Sequence, residues 1–201
     1  MDEWTIVSYS RQVSEDVNGI DARIAGRIRT LRESRGWSLS DLADASAVSK
    51  AMLSKIERQE TSPTAALLGR IAGAFNITLS QLLAEAEGDR GKLIRRAAQQ
   101  RWRDPETGFQ RVALSPPAAQ RLQLVEGELP PGAQISYPAS SYGFFTQQMW
   151  VLDGTLTFRE GRATHVLEKG DCLELSEPAD CTFENASKTK TCRYLVALSM
   201  K

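Results

Sequence analysis

The chain has 201 residues, 41% apolar and 25% charged, with 25 Lys and Arg against 25 Asp and Glu. That is room for one or two modest cores and excludes a fibrous or disordered composition. No apolar run approaches the roughly 20 residues of a membrane span, and the start Met1-Asp2-Glu3 lacks the basic region of a signal peptide. Cys172, Cys181 and Cys192 form no CxxC pair, so neither a disulfide framework nor a zinc knuckle is indicated and a reduced, cytoplasmic setting is expected. The zero net charge conceals an uneven distribution. Residues 18–84 carry nine Lys and Arg against six Asp and Glu, residues 1–17 one against four, and residues 111–201 nine against ten. The positive excess, +3, sits in one stretch, as a phosphate-binding face requires.

Residues 1–17 read as an N-terminal tail, with the alternating Trp4-Thr5-Ile6-Val7-Ser8-Tyr9 as a short strand or docking arm. From Ile20 to Arg35 the period is helical, with Ile24, Ile28 and Leu31 on one stripe and Gly36 just past the end. Ser38 is a natural N-cap for a helix carrying Leu39, Leu42 and Ala43; Ser46-Ala47-Val48 make a turn. Ser49 caps a further helix whose Met52, Leu53 and Ile56 point one way while Lys50, Ser54, Lys55 and Arg58 stay wet. Ser62-Pro63 supplies an N-cap and N1 proline for a fourth helix, through Leu67, Leu68, Ile71, Ala72 and Phe75 to Asn76 in a left-handed ending. Thr78 and Gln81 form a capping box for a fifth.

Ile28, Leu31, Leu42-Ala43, Val48-Ser49, Leu53-Ser54-Lys55-Ile56-Glu57-Arg58, Pro63 and Ile71-Ala72 together resemble the lambda-repressor-like, XRE-type helix-turn-helix domain. The resemblance spans residues 20–84 and implies a five-helix, DNA-binding bundle within a domain of residues 18–84. It places the helix from Ser49 to Arg58 in the major groove of double-stranded DNA, with Lys50, Ala51, Ser54 and Lys55 nearest the base edges. Ser38, Ser49 and Arg58 are then phosphate-facing. Glu57 reads as structural, paired with an arginine of the first helix. The family often has Gln at the position of Leu39 and a turn glycine at that of Ala47.

Residues 85–110, polar and rich in glycine, read as a linker. From Arg111 to the end the period becomes two, and short strands alternate with the turns Pro130-Pro131-Gly132, Asp153-Gly154, Glu160-Gly161 and Lys169-Gly170-Asp171. Pro131-Gly132, Trp150-Val151-Leu152-Asp153-Gly154, Leu167-Glu168-Lys169-Gly170-Asp171, Pro178 and Asn185 resemble the cupin fold. The overall expectation is an α + β two-domain chain: the five-helix bundle followed by an all-β cupin barrel over 111–201.

Cupins that do chemistry hold a metal through histidines and a glutamate. On that pattern the glutamate position is Gln147, the first histidines fall in Ser140–Gly143, and the later one is Cys181. One amide and one thiol do not make an imidazole–carboxylate site, so no metal and no cofactor are expected. His165 lies elsewhere and reads as a surface residue. What remains is a hollow small-molecule site lined by Tyr142, Phe145, Gln147, Met149, Val151, Cys181 and Phe183. The resemblances together imply a dimeric, sequence-specific transcription regulator, in the repressor sense, on a palindromic operator, with an effector bound in the cupin and no catalytic residues. The alternatives are a cysteine-based redox sensor and a metal-dependent cupin enzyme tethered to DNA.

Overall fold

The computed structural model describes residues 3–83, 92–116, 121–175 and 177–200. Helix α1 (Glu3–Ser34) runs unbroken and ends at Gly36, whose φ of 68° only glycine adopts without strain. Residues 3–17, expected as a tail, strand or docking arm, are instead its first half. They contain neither proline nor glycine, so nothing in them stops helix propagation. Helices α2 (Leu39–Ser46) and α3 (Lys50–Glu57) follow, capped by Ser38 and Ser49. Ala47 between them takes the left-handed conformation, φ 52° and ψ 32°. Helix α4 (Ala65–Ala74) is capped by Thr64, not by Ser62; the Ser62 hydroxyl donates to Asp21 on α1 instead. Asn76 has φ 50°, and the reciprocal Thr78–Gln81 bonds open α5 (Leu79–Leu83). Ile24, Ile28, Leu42, Leu53, Ile56, Leu68, Ile71, Phe75 and Leu82 form the buried centre of this bundle.

The second half of the chain is β. Strands β1 (Arg101–Arg103) and β2 (Gln110–Ala113) pair antiparallel, so the latter part of the expected 85–110 linker is a hairpin; residues 84–91 lie outside the described residues. The remaining strands are β3 (Leu122–Leu129), β4 (Gln134–Tyr137), β5 (Phe145–Asp153), β6 (Thr155–Glu160), β7 (Ala163–Glu168), β8 (Cys172–Glu174), β9 (Cys181–Glu184) and β10 (Cys192–Met200). They form a six-stranded sheet, β1-β2-β3-β10-β5-β8, and a four-stranded sheet, β4-β9-β6-β7. Among the described residues no ladder joins the two, so the cupin-like domain is a pair of facing sheets, not the closed barrel that the sequence suggests. The turns at Pro130-Pro131-Gly132 and Asp153-Gly154 carry the chain from one sheet to the other, and prolines have no N–H with which to extend a ladder across. Phe183 of the small sheet stacks on Tyr194 of the large one at 5.6 Å between ring centroids.

The bundle is seated on the sheets. Gly69 and Gly73 of α4 make the approach possible. A Cβ on Gly69 would lie 2.7 Å from the Tyr137 ring, and one on Gly73 2.4 Å from the carbonyl oxygen of Ser140. Ser140 belongs to the one-turn helix Ala139–Ser141 that follows β4. The first N–H of α4, from Ala65, donates to the buried Asp104 carboxylate in the β1–β2 turn at 2.5 Å, which adds negative charge at a helix N-terminus. Thr78 Oγ1 donates to Gln123 Oε1 at 2.7 Å, and Arg111 Nη2 to Ser80 Oγ at 2.7 Å. Both polar bonds join α5 or its cap to the large sheet.

Candidate nucleic-acid interface and ligand cavity

The candidate reading face is built on two helix caps. Asp41 N donates to Ser38 Oγ at 3.2 Å while Ser38 N donates to the Asp41 carboxylate at 2.7 Å, which holds that carboxyl below its usual range. Met52 N donates to Ser49 Oγ at 3.2 Å. Ser38 and Ser49 therefore both stand at helix N-termini, where free N–H groups and the dipole favour phosphate. Lys50, Ala51 and Lys55 are exposed along α3, and Leu53, Ile56 and Glu57 are buried beneath it. Ser54 accepts from Arg58 Nη1 at 2.7 Å, and Arg58 also pairs with Glu60 at 2.7 Å. That exposed pair raises the guanidinium pKa and lowers the carboxyl's, but water competes for it, and a phosphate can replace Glu60 at small cost. Of the seven residues the sequence nominates, Ser38 and Ser49 cap helices, Lys50, Ala51 and Lys55 are exposed along α3, and Ser54 and Arg58 are bonded to each other.

The orientation of α3 is set from below. Glu57 takes a two-pronged bond from Arg32, Nε at 2.7 Å and Nη2 at 2.9 Å, and a longer one from Arg29 at 3.4 Å. Arg32 also donates to the Trp37 carbonyl at 2.9 Å, and its charge is favoured chiefly by the bond to Glu57. One carboxylate thus ties α3 to α1 and to the entry of α2. On the far side Arg70 of α4 donates to the Ala47 carbonyl at 3.3 Å, linking α4 to the turn between α2 and α3.

A cavity of about 100 Å³ lies between the two sheets, and its remaining wall is Gly69 and Ala72 of α4 with Leu79 of α5. Of the residues the sequence nominates, Phe145, Gln147, Cys181 and Phe183 line it. Tyr142, Met149 and Val151 do not. Met149 and Val151, each 1% exposed, are packed core, and the Tyr142 hydroxyl accepts from Ala179 N at 3.1 Å and is bonded to the Cys181 thiol. Sequence reasoning missed Arg111, Tyr137, Ser141 and Tyr194, which supply most of the polar lining. Period two could have placed Tyr194 inward on its strand; Arg111 opens the period-two region, and nothing local marks its charge as buried.

The chemistry of these walls does not suit a metal. Burial pushes the Cys181 thiol up to about 11, so it is protonated at neutral pH, and Gln147 offers only a neutral amide. The cavity already holds the Arg111 cation, and no cluster of three His, Cys, Asp or Glu residues occurs among the described residues. The same protonation leaves little thiolate for redox chemistry at Cys181, and Cys192 is likewise pushed up to about 11 by burial. His165 is partly exposed on β7, across from Phe158 on β6, away from the cavity walls.

Two short capped helices joined by a tight turn within a five-helix bundle define the helix-turn-helix class of domain. The helix-turn-helix family model HTH_3 matches residues 28–82, and the chain belongs to that family, in its XRE-type branch. It is 53% identical over 57 residues to the HTH-type transcriptional regulator SutR of Escherichia coli, a match covering 28% of this chain and 32% of that one. It is 38% identical over 74 residues to a competence pilus inhibition repressor of Acinetobacter baylyi, covering 36% and 67%. The matched stretch thus spans about a third of SutR. The crystal structure of an HTH_3 family transcriptional regulator from Vibrio cholerae superposes with a TM-score of 0.76 at 24% identity, covering 92% of this chain and 98% of that chain, so the shared fold runs through the β domain as well. Among the described residues no helix is long and apolar enough to cross a membrane.

Proposed function

We propose that this chain is a sequence-specific, dimeric DNA-binding regulator whose affinity for its operator is set by a small, partly apolar molecule in the cavity. The helix α3 enters the major groove with Lys50, Ala51, Ser54 and Lys55 at the base edges, and Ser38, Ser49 and Arg58 hold phosphates. Two copies read half-sites about 34 Å apart, one helical turn. The repressor sense follows the name of the Acinetobacter relative and the simplest use of a bound regulator, which is to block a promoter. Catalysis is not part of this reading.

The observation that carries it is the shared wall. A ligand between the sheets touches Gly69 and Ala72 on α4, and α4 reaches through Arg70 to the turn that sets α3 against α2. An occupant that prefers one seating of α4 shifts the spacing or order of the two reading helices in a dimer. The test is to select binding sites from random DNA, then titrate the preferred duplex with protein as purified and after refolding from denaturant to strip the cavity. Regulation by a ligand requires affinities that differ several-fold between the two preparations and converge when the small-molecule extract is restored. Equal affinity throughout contradicts it.

A further inference from the structure

Arg111 sits on β2 with 7% of its surface exposed, facing a cavity whose other walls are mostly apolar. Among the described residues its hydrogen-bond partner is the neutral Ser80 hydroxyl, the groups that act on it electrostatically are the phenols of Tyr137 and Tyr194, and no carboxylate pairs with it. Burial pushes its pKa down to about 10, which still leaves it a cation at neutral pH. A buried charge without a counter-charge is costly, and such groups are ordinarily paired. A second polar group lines the same cavity: the Ser141 Oγ is buried, has no hydrogen-bond partner among the described residues, and lies 3.3 Å from where a Cβ on Gly69 would stand.

We propose that the cavity takes a small monocarboxylate, its carboxylate on Arg111 and Ser141 and its apolar body against Phe145, Phe183 and Leu79. This deepens the ligand-regulated reading above and rests on it. A guanidinium offers parallel N–H donors that match a carboxylate, and Nη2 alone is occupied, by Ser80. One cation in a cavity of about 100 Å³ with apolar walls suits a single negative charge on a short or single-ring body and not a phosphate dianion. The ligand also bridges the two halves of the chain, because Arg111 holds Ser80 on α5 and Ser141 abuts α4.

The test is thermal denaturation of the full chain with isovalerate, hexanoate, benzoate and phenylacetate at millimolar concentration, each against its carboxamide. It is run on the natural protein, on Arg111→Met and on Ser80→Ala. At least one carboxylate should raise Tm by about 3 °C or more while its carboxamide does not. Arg111→Met should keep its native circular dichroism, melt at or above the ligand-free natural protein because an unpaired buried charge has gone, and lose the carboxylate response. Ser80→Ala should keep that response. No stabilisation by any carboxylate overturns the proposal. So does a response that survives Arg111→Met, or an Arg111→Met chain that melts well below Ser80→Ala, which would make the arginine a structural post. Stabilisation by the carboxamides alone removes the anion while leaving a ligand cavity in place, so the two readings fail separately.

Discussion

Ala47 shows how one side chain can sit against the backbone it occupies. Its φ of 52° is a conformation that costs an L-residue roughly 1 kcal/mol and costs glycine nothing. Ala47→Gly should therefore stabilise the fold by at most about 0.5 kcal/mol after the greater freedom of glycine in the unfolded chain is counted, read as a small rise in Tm. The strain was legible beforehand, because the turn position is one where the family favours glycine. At the opposite extreme, Glu57 is well satisfied, and Glu57→Ala should cost about 2 kcal/mol in urea unfolding by leaving the partly buried Arg32 with only the longer pair to exposed Glu33 and the Trp37 carbonyl. The thiols separate by burial. Cys172 is exposed and should react with a disulfide reagent at pH 8 within minutes, while Cys181 and Cys192 stay slow until the chain unfolds or the pH nears 11. The sign follows from their raised values: the neutral thiols favour the folded state below the ordinary value near 9.0, and that contribution fades as pH rises through about 11. Rapid loss of all three at pH 8 in native protein would restore the redox alternative.

At the scale of elements, caps and periodicity were legible wherever the signal is local. Ser38, Ser49, the Thr78–Gln81 box and the alternation along β5 depend on neighbours within a few residues, and each forms as read. The start of α4 was misplaced because its donors are answered from afar. Asp104, 39 residues on, takes the Ala65 N–H, and Ser62 turns to Asp21, so Thr64 becomes the cap. The β1–β2 hairpin was hidden by the polar, glycine-containing composition around its turn, where Asp104 accepts from the Glu106 and Thr107 amides at 2.9 and 2.8 Å. The cavity was half legible: period two puts Phe145 and Gln147 inward, but the helical wall and Arg111 depend on docking that no single segment encodes. That docking has a sharp test. In an isolated helix Gly73→Ala would stabilise by about 1 kcal/mol. Here its Cβ would strike Ser140, and the substitution should instead lower stability by about 1–3 kcal/mol in urea unfolding and release the 138–142 amides to hydrogen exchange.

For the whole molecule, the arrangement is a reader and a cavity with a wall in common. Net charge is zero, so non-specific attraction to DNA is weak and the +3 of residues 18–84 must act locally. On the proposed reading, exposed Lys50 and Lys55 on α3 carry a large share of the discrimination, each about 1–3 kcal/mol at a guanine edge. The measurement that bears most directly on this is a titration of the selected operator, and of the same duplex scrambled, with the natural chain and with Lys50→Ala/Lys55→Ala at fixed salt. Reading by α3 requires the double variant to lose at least tenfold in operator affinity and most of its preference over the scrambled duplex, with its melting temperature unchanged. A double variant that keeps the operator preference of the natural chain would contradict it.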